Sequence, residues 1–170
     1  MGYATKEQMS DRAPNPQKAF QDYYPDHVAH CYGCGRLNAE GLQIKTYWEG
    51  EESVTRFQPR PYHTAIPGFV YGGVLASLID CHGTGTAAAA AYRAEGRAMD
   101  TEPAFRYVTA SLHVDYLKPT PAGVELELRG RVKEIKGRKV IVEIDLFAQG
   151  IATVRGEVVA VQMPKAFLPG

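Results

Sequence analysis

The sequence predicts an α+β fold in which a curved antiparallel β-sheet covers one long helix. Three observations predict it. A proline-free stretch from Gly72 to Arg93 carries apolar residues at helical spacing, two short alternating runs precede it, and four alternating runs follow it. At 170 residues, 45% of them hydrophobic, the chain has the size of one domain with a well-filled core.

Residues 1–25 are polar, carry Pro14, Pro16 and Pro25, and show no hydrophobic period. They read as a flexible N-terminal arm, with the domain proper at 26–170. Leu42, Ile44 and Thr46 alternate with Gln43 and Lys45, and a second alternating run follows at Ser53–Phe57 after the turn Glu49-Gly50-Glu51-Glu52, which predicts a hairpin. Pro59, Pro61, Pro67 and Gly68 then mark a shaped loop that delivers the chain to the helix.

Beyond the helix, Val108, Ala110, Leu112, Val114 and Tyr116 alternate with polar residues until Pro119 and Pro121 stop the strand. Val124, Leu126 and Leu128 begin the next strand, and Lys136-Gly137-Arg138 turns the chain into Val140, Val142, Ile144 and Leu146. The last run, Ile151–Met163, is rich in Val and Ala and is expected to be the best buried. A sheet served by one helix leaves apolar surface to cover, and a symmetric oligomer covers it.

Acidic and basic side chains balance at 19 each, so no net field draws the chain to nucleic acid or to an anionic membrane. There is no signal-like apolar run at the N-terminus and no stretch of eighteen apolar residues, and the expected setting is cytoplasmic. Cys31, Cys34 and Cys81 make an odd set, expected to be reduced thiols. His27, His30, Cys31 and Cys34 lie within eight residues. Zinc sites draw ligand pairs from separate turns, so this cluster reads as a packed loop with buried thiols and no metal.

At 100° per residue, Gly73, Ala76, Ser77, Asp80, Gly83, Thr84, Ala87 and Ala91 share one half of the helix, opposite Leu75, Leu78, Ile79, His82 and Thr86. The small face admits a ligand or another backbone, and Asp80 is its one acid. Asp80 either serves chemistry from a partly desolvated position or hydrogen-bonds a neighbouring element structurally. Gly72-Gly73 at the helix start either forms a tight turn or presents backbone amides to a developing negative charge.

The motifs His30-Cys31-Tyr32-Gly33-Cys34-Gly35, Pro67-Gly68-Phe69-Val70-Tyr71-Gly72-Gly73, Leu78-Ile79-Asp80, Val108-Thr109-Ala110-Ser111-Leu112, Asp115-Tyr116 and Lys118-Pro119 run through most of the chain. In order and spacing they resemble the PaaI-like branch of the hotdog-fold acyl-CoA thioesterases, within the 4-hydroxybenzoyl-CoA thioesterase superfamily. The resemblance implies a hotdog fold and hydrolysis of an acyl-CoA thioester. It also implies a homodimer or homotetramer with sites at the subunit interface, where Thr109 would serve the Asp80 of a neighbouring chain.

By the same resemblance the Gly72 amide polarises the carbonyl, Asp80 acts as general base or nucleophile, and Thr109 orients the water or carboxylate. His63 is the polar match for a loop residue that holds thioester or water. Gly73, Arg138 and Lys139 are the candidates for contacting coenzyme A, which would enter as part of the substrate, so no separate cofactor is expected. Tyr71 stands where relatives carry histidine, and that departure favours a second reading, a non-catalytic acyl-CoA or aromatic-ligand binding protein on the same fold.

Overall fold

In the computed structural model, which describes residues 17–164 and 166, six strands form one antiparallel sheet against a single long helix. In chain order these are β1 (Tyr47–Glu49), β2 (Glu52–Phe57), α1 (Gly72–Ala94), β3 (Tyr107–Tyr116), β4 (Leu126–Lys136), β5 (Lys139–Ala148) and β6 (Ile151–Gln162). The sheet order is β1-β2-β4-β5-β6-β3, so β3, the strand that follows the helix, closes the far edge. This is the α+β hotdog arrangement.

The helix presents Leu75, Leu78, Ile79, His82 and Thr86 to the sheet, as their spacing predicts, and all five are buried. They meet Leu126, Leu128, Val140, Val142, Ile144, Leu146, Val154 and Val158 from the alternating strands. Burying a residue of the size of Leu78 or Ile79 contributes about 2–3 kcal/mol. The helix also approaches β6 at two glycines. A Cβ at Gly83 would lie 2.5 Å from Val158, and one at Gly156 would lie 2.3 Å from Ile79. Gly83 therefore belongs to the helix–sheet contact and not to the open small-residue face on which its spacing places it.

Two boundaries differ from the sequence reading. Leu42 and Ile44 are buried in alternation, yet their amides donate to the Tyr32 and Gly33 carbonyls, and Gln43 sits at φ 57°, so strand pairing starts only at Tyr47. The expected flexible arm also ends earlier than residue 25. Its residues 1–16 lie outside the described residues, but Ala19, Phe20 and Gln21 are buried. The Gln21 side chain donates to the Thr46 hydroxyl and accepts from the Thr46 amide, both at 2.9 Å, while Phe20 packs on Trp48.

Under the helix, His82 is enclosed by hydroxyls. Its Nε2 lies 2.9 Å from Ser53 Oγ and its Nδ1 2.9 Å from Thr55 Oγ1, and the Thr86 hydroxyl meets Ser53 at 2.7 Å. Burial pushes the imidazole pKa down to about 3, so it is neutral at pH 7. The folded value lies below the unfolded one, so the unfolded chain takes up a proton first as pH falls. The contribution is present above about pH 6.5 and is lost as pH drops toward 3. Urea titrations are expected to show about 2 kcal/mol less stability at pH 5 than at pH 7; equal stability at the two pH values would contradict a neutral buried His82.

Candidate active site

The first turn of α1 is held from both sides. The Tyr71 amide donates to the His63 carbonyl at 2.9 Å and the Val70 amide to the Thr120 carbonyl at 2.9 Å. Tyr71 is the N-cap in extended conformation, and its carbonyl receives the Val74 amide at 3.0 Å. No side chain caps the helix, and among the described residues neither the Gly72 nor the Gly73 amide has an acceptor. Two free amides at the positive end of a 23-residue helix can receive an oxyanion.

Aromatic rings bound these glycines. The Tyr71 ring lies against Gly73, where a Cβ would stand 2.4 Å from Tyr71 Cε1, and the Tyr116 hydroxyl donates to the Gly72 carbonyl at 2.8 Å. Sequence reasoning assigned no role to Tyr116, although it shares a strand with Thr109 and alternation puts it on the face of Leu112 and Val114. Ser77 and Thr84 turn their hydroxyls back onto the Gly73 and Asp80 carbonyls, at 2.8 and 3.1 Å, so neither competes for the Asp80 carboxylate.

Asp80, half-buried, accepts a hydrogen bond at Oδ1 from the Thr109 hydroxyl of the same chain. The pair forms within one chain, where the resemblance implies that Thr109 serves the Asp80 of a neighbouring chain. The register explains it: β3 bulges between Thr109 and Ser111, and Thr109 pairs with Ala160, whose side chain is buried toward the helix. Bulges re-aim side chains in this way. Eight residues separate Gly72 from Asp80, about 12 Å along the axis at 1.5 Å per residue.

Three other candidates have different surroundings. His63 is buried in the loop, its ring stacked on Phe57 and edge-on to Tyr62, and its Nδ1 accepts from the Arg60 amide at 3.1 Å. Burial first, and the Arg60 charge second, hold it below the usual imidazole range. Its carbonyl also accepts from the Tyr71 amide, which ties the loop to the helix N-terminus. Arg138 donates to the Gln162 carbonyl at 2.7 Å, and Lys139 pairs with Glu134 at 2.9 Å. Lys139 shares a row with Val161 and Val108, one residue out of phase with the Val140–Ala160–Thr109 row, so it faces away from the helix. Within one chain these cations do not join the Asp80 site.

The description "Thioesterase superfamily" matches residues 67–155, which contain Gly72, Asp80 and Thr109. A solved thioesterase superfamily protein from Shewanella loihica PV-4 is 51% identical, with a TM-score of 0.63 over 83% of this chain and 100% of that one. The E. coli PaaI protein from the phenylacetic acid degradation operon, at 15% identity, has a TM-score of 0.59 over 72% of this chain and 81% of its own, a likeness of fold. Acyl-coenzyme A thioesterase THEM4 of Xenopus laevis is 39% identical over 87 residues, which are 51% of this chain and 33% of that protein. The chain thus spans about a third of the length of the curated relatives it matches. With the matched segment carrying α1 and the strands β3, β4 and β5 that follow it, the chain belongs to the thioesterase superfamily.

Proposed function

We propose that the protein is an acyl-CoA thioesterase, on the strength above all of the Asp80–Thr109 pair set beside a helix whose first amides are free. Water adds to the thioester carbonyl, a C–O bond forms, and the charge on the carbonyl oxygen is met by the Gly72 amide and the helix N-terminus. Collapse breaks the C–S bond and coenzyme A leaves as the thiolate, which takes up a proton. Asp80 serves either as general base toward the water or as nucleophile through a mixed anhydride, and Thr109 fixes its orientation.

The 12 Å between Gly72 and Asp80 on one helix exceeds what a single carbonyl spans. We therefore place the Gly72 amide of one chain opposite the Asp80–Thr109 pair of another, in a homodimer or a dimer of dimers. The edge strand supports this. Leu112 and Tyr116, on the helix-facing side of β3, are 39% and 54% exposed, apolar surface with unpaired backbone groups beside it. The second reading, a binding protein without turnover, is favoured by the Tyr71 ring that lies over Gly73.

Asp80→Asn is expected to keep the fold and acyl-CoA affinity while lowering turnover about 10²–10⁴-fold. Free-thiol release from acyl-CoAs of different chain length and from aromatic acyl-CoAs measures it, and an active Asp80→Asn protein would overturn the mechanism. Thr109→Val should reduce kcat about 10–100-fold with KM little changed, through loss of orientation. Light scattering is expected to give two or four times the chain mass; a monomer that hydrolyses substrate would remove the two-chain site.

A further inference from the structure

The loop before β1 and the helix meet at sulfur. Cys31, Cys34 and Cys81 place their Sγ atoms within 4.8 Å of one another, with Cys31 and Cys81 at 3.7 Å. Tetrahedral thiolate sites with metal–sulfur bonds of about 2.3 Å put their sulfurs about 3.8 Å apart. His27 and His30, near in sequence, are both exposed and stand outside the cluster. The third ligand comes instead from Cys81, fifty residues away from Cys31, on the helix beside Asp80.

The loop is held by its own backbone: the Gly35 amide donates to the Cys31 carbonyl at 2.8 Å, and the Leu42 and Ile44 amides donate to the Tyr32 and Gly33 carbonyls at 2.8 and 3.0 Å. Two glycines leave the room required. A Cβ at Gly35 would lie 2.4 Å from the Cys31 nitrogen, and one at Gly33 would lie 2.3 Å from Cys81 Sγ. Cys34 and Cys81 are buried while Cys31 is exposed, so three sulfurs converge and one side stays open.

We propose that Cys31, Cys34 and Cys81 form a binding site for a thiophilic divalent cation such as zinc, with three ligands from the chain and the fourth position open to solvent on the Cys31 side. As each sulfur–metal bond forms, its thiol proton passes to solvent, so loading releases up to three protons and joins the Cys31–Cys34 loop to the helix turn of Asp80. A two-sulfur bond between any pair would leave the third sulfur without a role. The cation uses all three, and the soft donor set selects zinc-like metals over magnesium or calcium.

Co(II) titration of the full chain, stripped with chelator and kept reduced, tests the site. One equivalent per chain is expected to give thiolate-to-cobalt charge-transfer and tetrahedral d–d bands, which added Zn(II) abolishes. Cys31→Ser, at an exposed position, and Cys81→Ser should each weaken cobalt binding at least about tenfold, the loss typical even of residues that only support a ligand. Circular dichroism is recorded alongside to confirm that each variant is folded. Absence of the bands in protein with three titratable thiols, or unchanged bands in folded Cys81→Ser, would overturn the proposal.

Discussion

The seating of α1 against β6 is the constraint on which the other features depend. The helix lies where it does because Gly83 and Gly156 have no side chain, so Val158 and Ile79 occupy that space. A methyl group at either position would lift the helix off the sheet and open gaps in a close-packed layer. The same seating buries His82 among hydroxyls, and it brings the opposite side of the helix level with the edge strand. Asp80 meets Thr109 only because that distance is set. The Asp80–Thr109 pair is thus a consequence of the packing around it, with Ile79 adjacent to Asp80 and Gly83 three residues on.

The other face of the sheet follows a different rule. Arg155 pairs with Asp145 at 2.8 Å, Lys133 bridges Glu143 and Glu157 at 2.9 Å each, and Arg129 meets Glu52 and Glu127 at 2.9 and 2.7 Å. A groove lined by His113, Asp115, Arg131, Asp145 and Arg155 crosses this face, but its charges are mutually paired and none belongs to the helix. Exposed pairs of this kind add little stability each. They keep the convex surface wet and the net charge at zero, which leaves the apolar edge at β3 as the contrasting surface.

Much of this was legible in the sequence, because periodicity reports burial directly. The alternation in β4, β5 and β6 and the helical spacing of Leu75, Leu78, Ile79, His82 and Thr86 correspond to buried positions almost residue for residue. Alternation misled at Leu42–Thr46, where the side chains do point inward in turn but the backbone bonds to the Cys31–Gly35 loop instead of a strand. The burial of Phe20 and Gln21 was hidden because a two-residue anchor has no period. In the candidate site, spacing singled out Asp80 and the glycine pair with a structural reading still open for each and the resemblance supplied their roles, whereas the contact to Thr109 within the same chain depends on a bulge that no spacing rule contains. Lys139 was placed by its charge, and the strand phase turned it to the outer face.

Tyr71 marks the difference between what backbone and side chain each control. The proposed oxyanion donors are amides, so their presence is indifferent to the residue that precedes them, and with tyrosine there the N-cap geometry still leaves the Gly72 and Gly73 amides without an acceptor among the described residues. The ring does alter access: it rests on Gly73, half exposed, beside the tyrosine that holds the Gly72 carbonyl. Two aromatic rings therefore lie against the two glycines. In the proposed reaction an acyl group reaches these amides past the two rings, so that reading assigns selection among acyl groups to Tyr71 and Tyr116 and the chemistry to the helix.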